Sequence, residues 1–376
     1  MKQRIWLSPP HLTGKEIVFL QETLDANWVT VVGAQIEKFA AIISNYTQSP
    51  YVTLCNSGTS ALHLALQVLG VKRGDFILTS TFTFVASVNP IKYLGAIPVL
   101  IESEKETWNM SPQFLEESIL WCIKQGNKPK AIVLVHLYGM PAQLNKICEI
   151  AFKYDIPLIE DAAESLGSTY KKQHLGTFGM LGLHSFNGNK IITTSAGGAL
   201  FSKNEDFIKK AAFLASQAKE PTSFYEHKYL GYNYQMTTLQ AAMGLGQFTQ
   251  LDNYIALRRR NFDFYKMTLS PFGIKFLEEP SADFYSNRWL TTILIDSKLT
   301  KVSPENLKEA LELENIESRF LWKPMHTQPL YNEMTYFGDH TSDKLFKSGL
   351  CLPSGSSLSE ADLKRITSII INKISN

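Results

Sequence analysis

The sequence predicts an α/β fold, with a large domain built on a mostly parallel sheet and a smaller α+β domain after it. Three observations support this. At 376 residues the chain exceeds the size at which a single hydrophobic core keeps growing. Between about residues 50 and 200, short β-branched apolar runs alternate with longer amphipathic segments, and after about residue 250 the texture changes to long helical patterns around isolated strands.

Taken in order, "YVTLC" precedes "SALHLALQVLG", "FILTS" precedes "FVASVNPIKYLG", "KAIVLVHLYG" precedes "AQLNKICEIAFKYD", and "IPLIEDAAESLG" closes the series. The strand runs are nearly continuous in apolar character, as expected when helices cover both faces of a parallel sheet. Open sheets of this kind bind ligands beyond the carboxyl ends of their strands. Further on, "LDNYIALRRRNFDFYKMTL" predicts a long helix, "RWLTTILID" a strand, and "SPENLKEALELENI" a helix capped by Ser303 with Pro304 in its first turn. The expected division is residues 1–250 for the large domain and 251–376 for the small one, with the first 15 or so residues free to pack elsewhere.

Composition narrows the function. With 44% hydrophobic and 19% charged residues, a net charge of +2 and no basic tract, the chain suggests neither disorder nor a nucleic-acid footprint. Cys55, Cys122, Cys148 and Cys351 are far apart and form no CxxC pair, which argues against a zinc site or a disulfide framework and fits a reducing cytoplasm. The first residues lack an apolar signal region, and no run approaches about 18 apolar residues, so no membrane partner is expected.

Three motifs carry chemistry. In "HSFNGNKIITTSAGGAL", Lys190 sits between an amide-rich turn and a β-branched run; it is either a solvated loop charge or a partly desolvated amine of lowered pKa that forms a Schiff base. "CNSGTSALHLAL" leads from a strand through Gly58, Thr59 and Ser60 into a helix, an ordinary cap or a phosphate-binding helix N-terminus. It matches neither a Walker nor a GxGxxG pattern. "IPLIEDAAESLG" ends a strand with Glu160 and Asp161, followed by Glu164, and one of these carboxylates should face the ligand crevice. An imine-forming lysine, a carboxylate that keeps a pyridinium protonated and a phosphate-binding helix terminus are what pyridoxal phosphate requires.

Across nearly its whole length the chain resembles the DegT/DnrJ/StrS family of nucleotide-sugar aminotransferases, through "LSPPH", "NSGTSALHLAL", "FTFVASVNPI", "IEDAAESLG", "GTFGMLGLHSFNGNKIITTSAGGAL", "GYNYQMTTLQAAMG", "SNRWLTT" and "LWKPMHTQPL". The resemblance implies the aspartate-aminotransferase fold (pyridoxal phosphate fold type I), a homodimer with shared active sites, and Lys190 and Asp161 as catalytic residues. It further implies that Asp161 pairs with the cofactor's ring nitrogen and that Gly58, Thr59, Ser60 and Ser185 hold its phosphate. Phe84 would stack on the ring, Glu164 would approach the phenolic oxygen, and Asn233 would reach the phosphate from the other subunit. Trp28, Thr30, Asn187 and His326 fall on the substrate side, and no metal is implied.

The branch most resembled makes UDP-4-amino-4,6-dideoxy-N-acetylglucosamine, the bacillosamine precursor, from L-glutamate and a UDP-linked 4-keto-6-deoxy sugar. Alternatives are another GDP- or dTDP-linked keto sugar, giving a perosamine-type or 3-amino product, a dehydratase, in whose relatives histidine replaces the lysine, and a non-catalytic regulator on the same fold. Two positions depart from the family pattern: Gln235 stands where arginine is usual, and Ala196 where glycine is usual, which predicts an altered turn after Lys190.

Overall fold

The computed structural model describes residues 3–375. Strands are numbered in chain order. The main sheet contains β1 (Tyr51–Cys55), β2 (Phe76–Ser80), β3 (Ile97–Ile101), β4 (Ala131–Val135), β5 (Leu158–Asp161), β8 (Leu181–Ser185), β9 (Gly198–Ser202) and β14 (Tyr336–Phe337), in the order β1-β9-β8-β5-β4-β2-β3-β14. The pairings from β8 through β14 are parallel, whereas β9 runs antiparallel to both β1 and β8. The sheet is therefore mostly parallel, as expected.

The central strands are buried along their whole length, which explains their unbroken apolar runs: β4, with sequence AIVLV, has no exposed position. One segment differs from expectation. "FVASVNPIKYLG" forms a 3₁₀ turn at Val85–Ser87 and then only a short helix, Asn89–Tyr93. Pro90 lacks the amide that a longer helix would need at that point, and Val88 is β-branched.

A second sheet, β10 (Ile274–Phe276), β12 (Thr291–Ile295), β15 (Gly349–Leu352) and β13 (Arg319–Phe320), is antiparallel throughout. Helices Pro304–Leu313 and Glu360–Ser375 share its core, where Leu307, Ile366, Ile293 and Leu350 are fully buried. Ser303 caps the first of these helices, with Pro304 in the first turn, as predicted. A short ribbon joins β6 (Thr169–Tyr170), β7 (Gln173–His174) and β11 (Phe284–Tyr285).

Helix Leu251–Leu269 links the two cores. Its first half contributes Leu251, Tyr254 and Ile255 to the core behind the main sheet, and its last turns contribute Tyr265 and Leu269 to the core of the small sheet. The N-terminal strap makes the same crossing, with Ile5 in the small core and Leu7 in the large one. β14 also crosses, lying after residue 250 in sequence yet pairing with β3. Among the described residues no helix is long and apolar enough to cross a membrane.

Candidate active site

Two strands of the main sheet end at chemistry. β5 terminates at Asp161 and β8 at Ser185, and the turn after Ser185 delivers Lys190. Helix Gly58–Val68 begins directly after β1. β9 passes close beneath its first turn because position 198 is glycine: a Cβ there would lie 2.6 Å from the Ser57 carbonyl carbon. These elements enclose a cavity of about 280 Å³ walled by Gly58, Thr59, Phe84, Asp161, Ser185, Asn187 and Lys190.

At one end lies the helix N-terminus. Extended Ser57 is the N-cap; its hydroxyl accepts the Ser60 amide at 3.0 Å and its carbonyl accepts the Ala61 amide at 3.1 Å. The amides of Gly58 and Thr59 are thus first-turn donors with no acceptor inside the helix. Ser60 is oriented differently from its neighbours: its hydroxyl donates to Asn56 Oδ1 at 2.6 Å, and it does not wall the cavity.

Asp161 accepts the Ser87 hydroxyl at 2.7 Å and the Ala163 amide at 3.2 Å. Glu164 accepts the Tyr138 amide at 2.6 Å and stands 3.9 Å from Lys190 Nζ. Burial pushes the Glu164 carboxyl up to about 7 against the opposing pull of Lys190. Burial likewise lowers Lys190, against the attraction of Glu164 and Asp161. A lowered pKa makes the amine a weaker base than a solvated lysine but leaves more of it unprotonated near neutral pH, and its burial sets it apart from a solvated loop charge.

Aromatic rings back this pair. Lys190 Nζ lies 4.0 Å from the ring centroid of Trp289. Tyr138 stacks between Trp289 and Trp322, at 6.5 and 6.2 Å, and Trp322 lies 5.1 Å from Phe84. Tyr138 has a left-handed backbone, φ 54°, and this sharp turn aims its amide at Glu164.

The remaining predicted residues separate. Phe84 is half exposed on the cavity wall. Trp28 and Thr30 do not wall this cavity; Trp28 donates its indole N–H to the Val32 carbonyl, and the Thr30 amide donates to Thr238. Asn233 is exposed, with its carbonyl held by Asn56. Gln235 bridges Cys55 at the end of β1. His326 is engaged by Thr81 at 2.7 Å and by Asp343 at 3.2 Å, outside the cavity. Together with His340 these form, among the described residues, a potential metal cluster with ligand atoms within 4.8 Å of one another, although Asp343 Oδ2 already receives both histidines in hydrogen bonds.

In the turn after Lys190 the positive φ values fall on Ser195 (72°) and Gly197 (155°), while Ala196 itself has none. Sequence reasoning missed Ser87, Tyr138, Trp289 and Trp322. Trp289 and Trp322 lie in recognised motifs, but an aromatic residue taken alone indicates core packing.

Residues 10–371 match the DegT/DnrJ/EryC1/StrS aminotransferase family. The chain is 43% identical over 377 aligned positions to the Bacillus subtilis (strain 168) protein named "Putative pyridoxal phosphate-dependent aminotransferase EpsN", covering 99% of this chain and 96% of that one. It is 38% identical to the GDP-perosamine synthase of Escherichia coli O157:H7, over 93% of each. The solved structure of a DegT DnrJ EryC1 StrS aminotransferase from Brucella abortus superposes with a TM-score of 0.90 at 28% identity, over 96% of each chain.

Proposed function

This chain belongs to the DegT/DnrJ/EryC1/StrS aminotransferase family, with pyridoxal phosphate as its cofactor, and from that premise we propose that it moves the amino group of L-glutamate to carbon 4 of a UDP-linked 4-keto-6-deoxy-N-acetylhexosamine. The product is UDP-4-amino-4,6-dideoxy-N-acetylglucosamine, the bacillosamine precursor. One observation carries the enzyme reading: Lys190, Asp161 and the helix-start residues Gly58 and Thr59 wall a single cavity. That donor set fits the cofactor, offering an amine for its aldehyde, an acceptor for its ring N–H and a helix terminus for its phosphate.

Bound pyridoxal phosphate supplies the electron sink through which nitrogen passes from donor to acceptor. The chain supplies placement and proton control. Asp161, fixed by Ser87 and the Ala163 amide, keeps a proton on the ring nitrogen by opposite charge. Lys190, lowered by burial, would remove the α-proton of glutamate, which leaves as 2-oxoglutarate, and in the second half-reaction would deliver a proton to carbon 4 of the acceptor sugar. Gly58, Thr59 and Ser185 would hold the phosphate, with Ser60, whose hydroxyl donates to Asn56, beside them in the same helix turn; Phe84 would stack on the ring, and Glu164 would approach the phenolic oxygen.

In this reading residues 1–250 form the cofactor domain and 251–376 the small domain, and two cytoplasmic chains pair so that Asn233 completes the neighbour's phosphate site. Trp28, Thr30, Asn187 and His326 then border the sugar nucleotide. The exposure of Asn233, beside Asn56 at the helix terminus, supports this arrangement. A GDP-linked keto sugar is the second reading, favoured by the 38% identity to a GDP-perosamine synthase. Incubation with glutamate and a panel of UDP-, GDP- and dTDP-linked 4-keto-6-deoxy sugars tests both. Amination of the UDP sugar in preference to the others is expected, and a GDP-only product would overturn the first reading.

A further inference from the structure

Arg258 is 1% exposed, yet among the described residues no carboxylate meets it. Its guanidinium donates to the Trp289 carbonyl at 2.6 Å and to the Ser8 hydroxyl at 3.0 Å, while Nε finds no partner among those residues. Burial alone pulls it down to about 9. A buried cation held only by neutral acceptors is costly, and a leucine or methionine would fill the same space without that cost. An arginine at this position calls for a geometric reason.

Its two acceptors share a task. The Ser8 hydroxyl donates to the Asn189 carbonyl at 2.7 Å, and the Trp289 indole N–H donates to the same oxygen at 2.7 Å. That carbonyl belongs to the peptide entering Lys190. Trp289 also presents its ring 4.0 Å from Lys190 Nζ. Arg258 thus stands behind both donors that fix the lysine's backbone, and behind the ring that faces its amine.

Position in the fold extends the point. Arg258 lies midway along helix Leu251–Leu269, between its large-core and small-core halves. Ser8 follows the strap that runs from Ile5 in the small core to Leu7 in the large one, and Trp289 precedes β12 of the small sheet. Three segments that cross between the cores meet at one guanidinium. Only a planar fork with several fixed N–H donors satisfies a carbonyl and a hydroxyl in different directions at once.

We propose that Arg258 is a positioning residue that locks the Asn189–Lys190 peptide to the junction of the two cores through Ser8 and Trp289, and so sets the geometry of the reactive amine. This rests on the reading of Lys190 as the cofactor-bearing lysine. Loosening the clamp misplaces the amine without opening the substrate pocket, so the loss falls on kcat rather than KM.

The test uses the holoenzyme. Arg258→Gln is expected to lower kcat roughly ten- to hundredfold with KM for either substrate within about twofold. The pH midpoint of the bound cofactor's absorbance should move by at least about half a unit. Arg258→Lys, which keeps the charge but not the fork, should behave like Arg258→Gln. Ser8→Ala and Trp289→Phe each remove one donor to Asn189 and should shift the midpoint by less, and they decide the matter if Arg258→Gln does not fold. Ile370→Ala, in the far core, lowers thermal stability without moving the midpoint. An unmoved midpoint in Ser8→Ala and Trp289→Phe would overturn the proposal. Borohydride reduction of the wild type separates the two levels: cofactor fixed to a lysine other than Lys190 defeats the parent reading, whereas attachment at Lys190 with unmoved midpoints defeats the clamp alone.

Discussion

Glu160 and Asp161 are adjacent, buried acids on opposite faces of β5. Behind the strand, Glu160 receives four donors: His136 at 2.9 Å and the amides of Gly176, Phe178 and Gly179 at 2.8, 2.6 and 2.6 Å. On the cavity wall Asp161 receives two donors, and Glu164, which stands beside Lys190 without walling the cavity, accepts the Tyr138 amide. A carboxylate has about four acceptor sites, so Glu160 is saturated while Asp161 and Glu164 keep spare capacity. Burial alone does not distinguish a structural acid from a working one; the free lone pairs do.

The sharpest way to break this contrast is to remove the amine beside Asp161 and Glu164. Lys190→Ala should reduce turnover by at least about four orders of magnitude while the folded state survives, since the side chain it truncates lies on the cavity wall and not in either apolar core. Thermal unfolding within a few degrees of wild type, alongside absent activity, is the expected pair of results. Turnover near the wild-type level in this variant would remove Lys190 from the catalytic role.

Next comes the saturated acid. Glu160→Gln places an amide where three backbone donors and an imidazole N–H converge, so donors face donors in a buried site. The expected cost is about 3–5 kcal/mol, read as a lower denaturant midpoint, with kcat of the folded fraction nearly unchanged. Asp161→Asn should do the reverse. Activity falls more than about a hundredfold, about 2.7 kcal/mol, because a neutral amide cannot hold the ring nitrogen protonated, while stability moves by less than about 1 kcal/mol. Equal stability losses in the two variants would erase the distinction between the faces.

The same contrast explains what could be read from the sequence. The parallel strands were legible because two-sided burial leaves unbroken apolar runs, and "IPLIED" placed both acids at a strand end. Helix Leu251–Leu269 and the Ser303 cap were legible because helical period and cap chemistry are local. Period-two geometry puts residues 160 and 161 on opposite faces, but which face held the ligand depended on partners such as Gly176 and Phe178, set by the fold. For the same reason the antiparallel placement of β9 and the capture of β14 by β3 had no local signal. Ser87 and Tyr138 act through contacts 74 and 26 residues away in sequence, which no spacing rule reaches.

The smallest effect concerns Glu164, which lies between the two extremes: buried like Glu160 but sparsely satisfied. Its carboxyl is raised to about 7 in the folded chain, mainly by burial, whereas in an unfolded chain it titrates near the ordinary glutamate value. The folded state therefore binds more protons than the unfolded state between about pH 4.5 and 7, and stability must fall as pH rises through that window. The full shift corresponds to at most about 3 kcal/mol, and relaxation in real interiors brings it toward about 1. Glu164→Gln carries no such proton, so, with both proteins free of cofactor, the variant should lose less stability than wild type between pH 5 and 8. Thermal midpoints measured across this range for the two proteins check the point. Parallel curves for wild type and Glu164→Gln would mean that Glu164 is ionised at every pH in the window, and that the Lys190 ammonium offsets its burial completely.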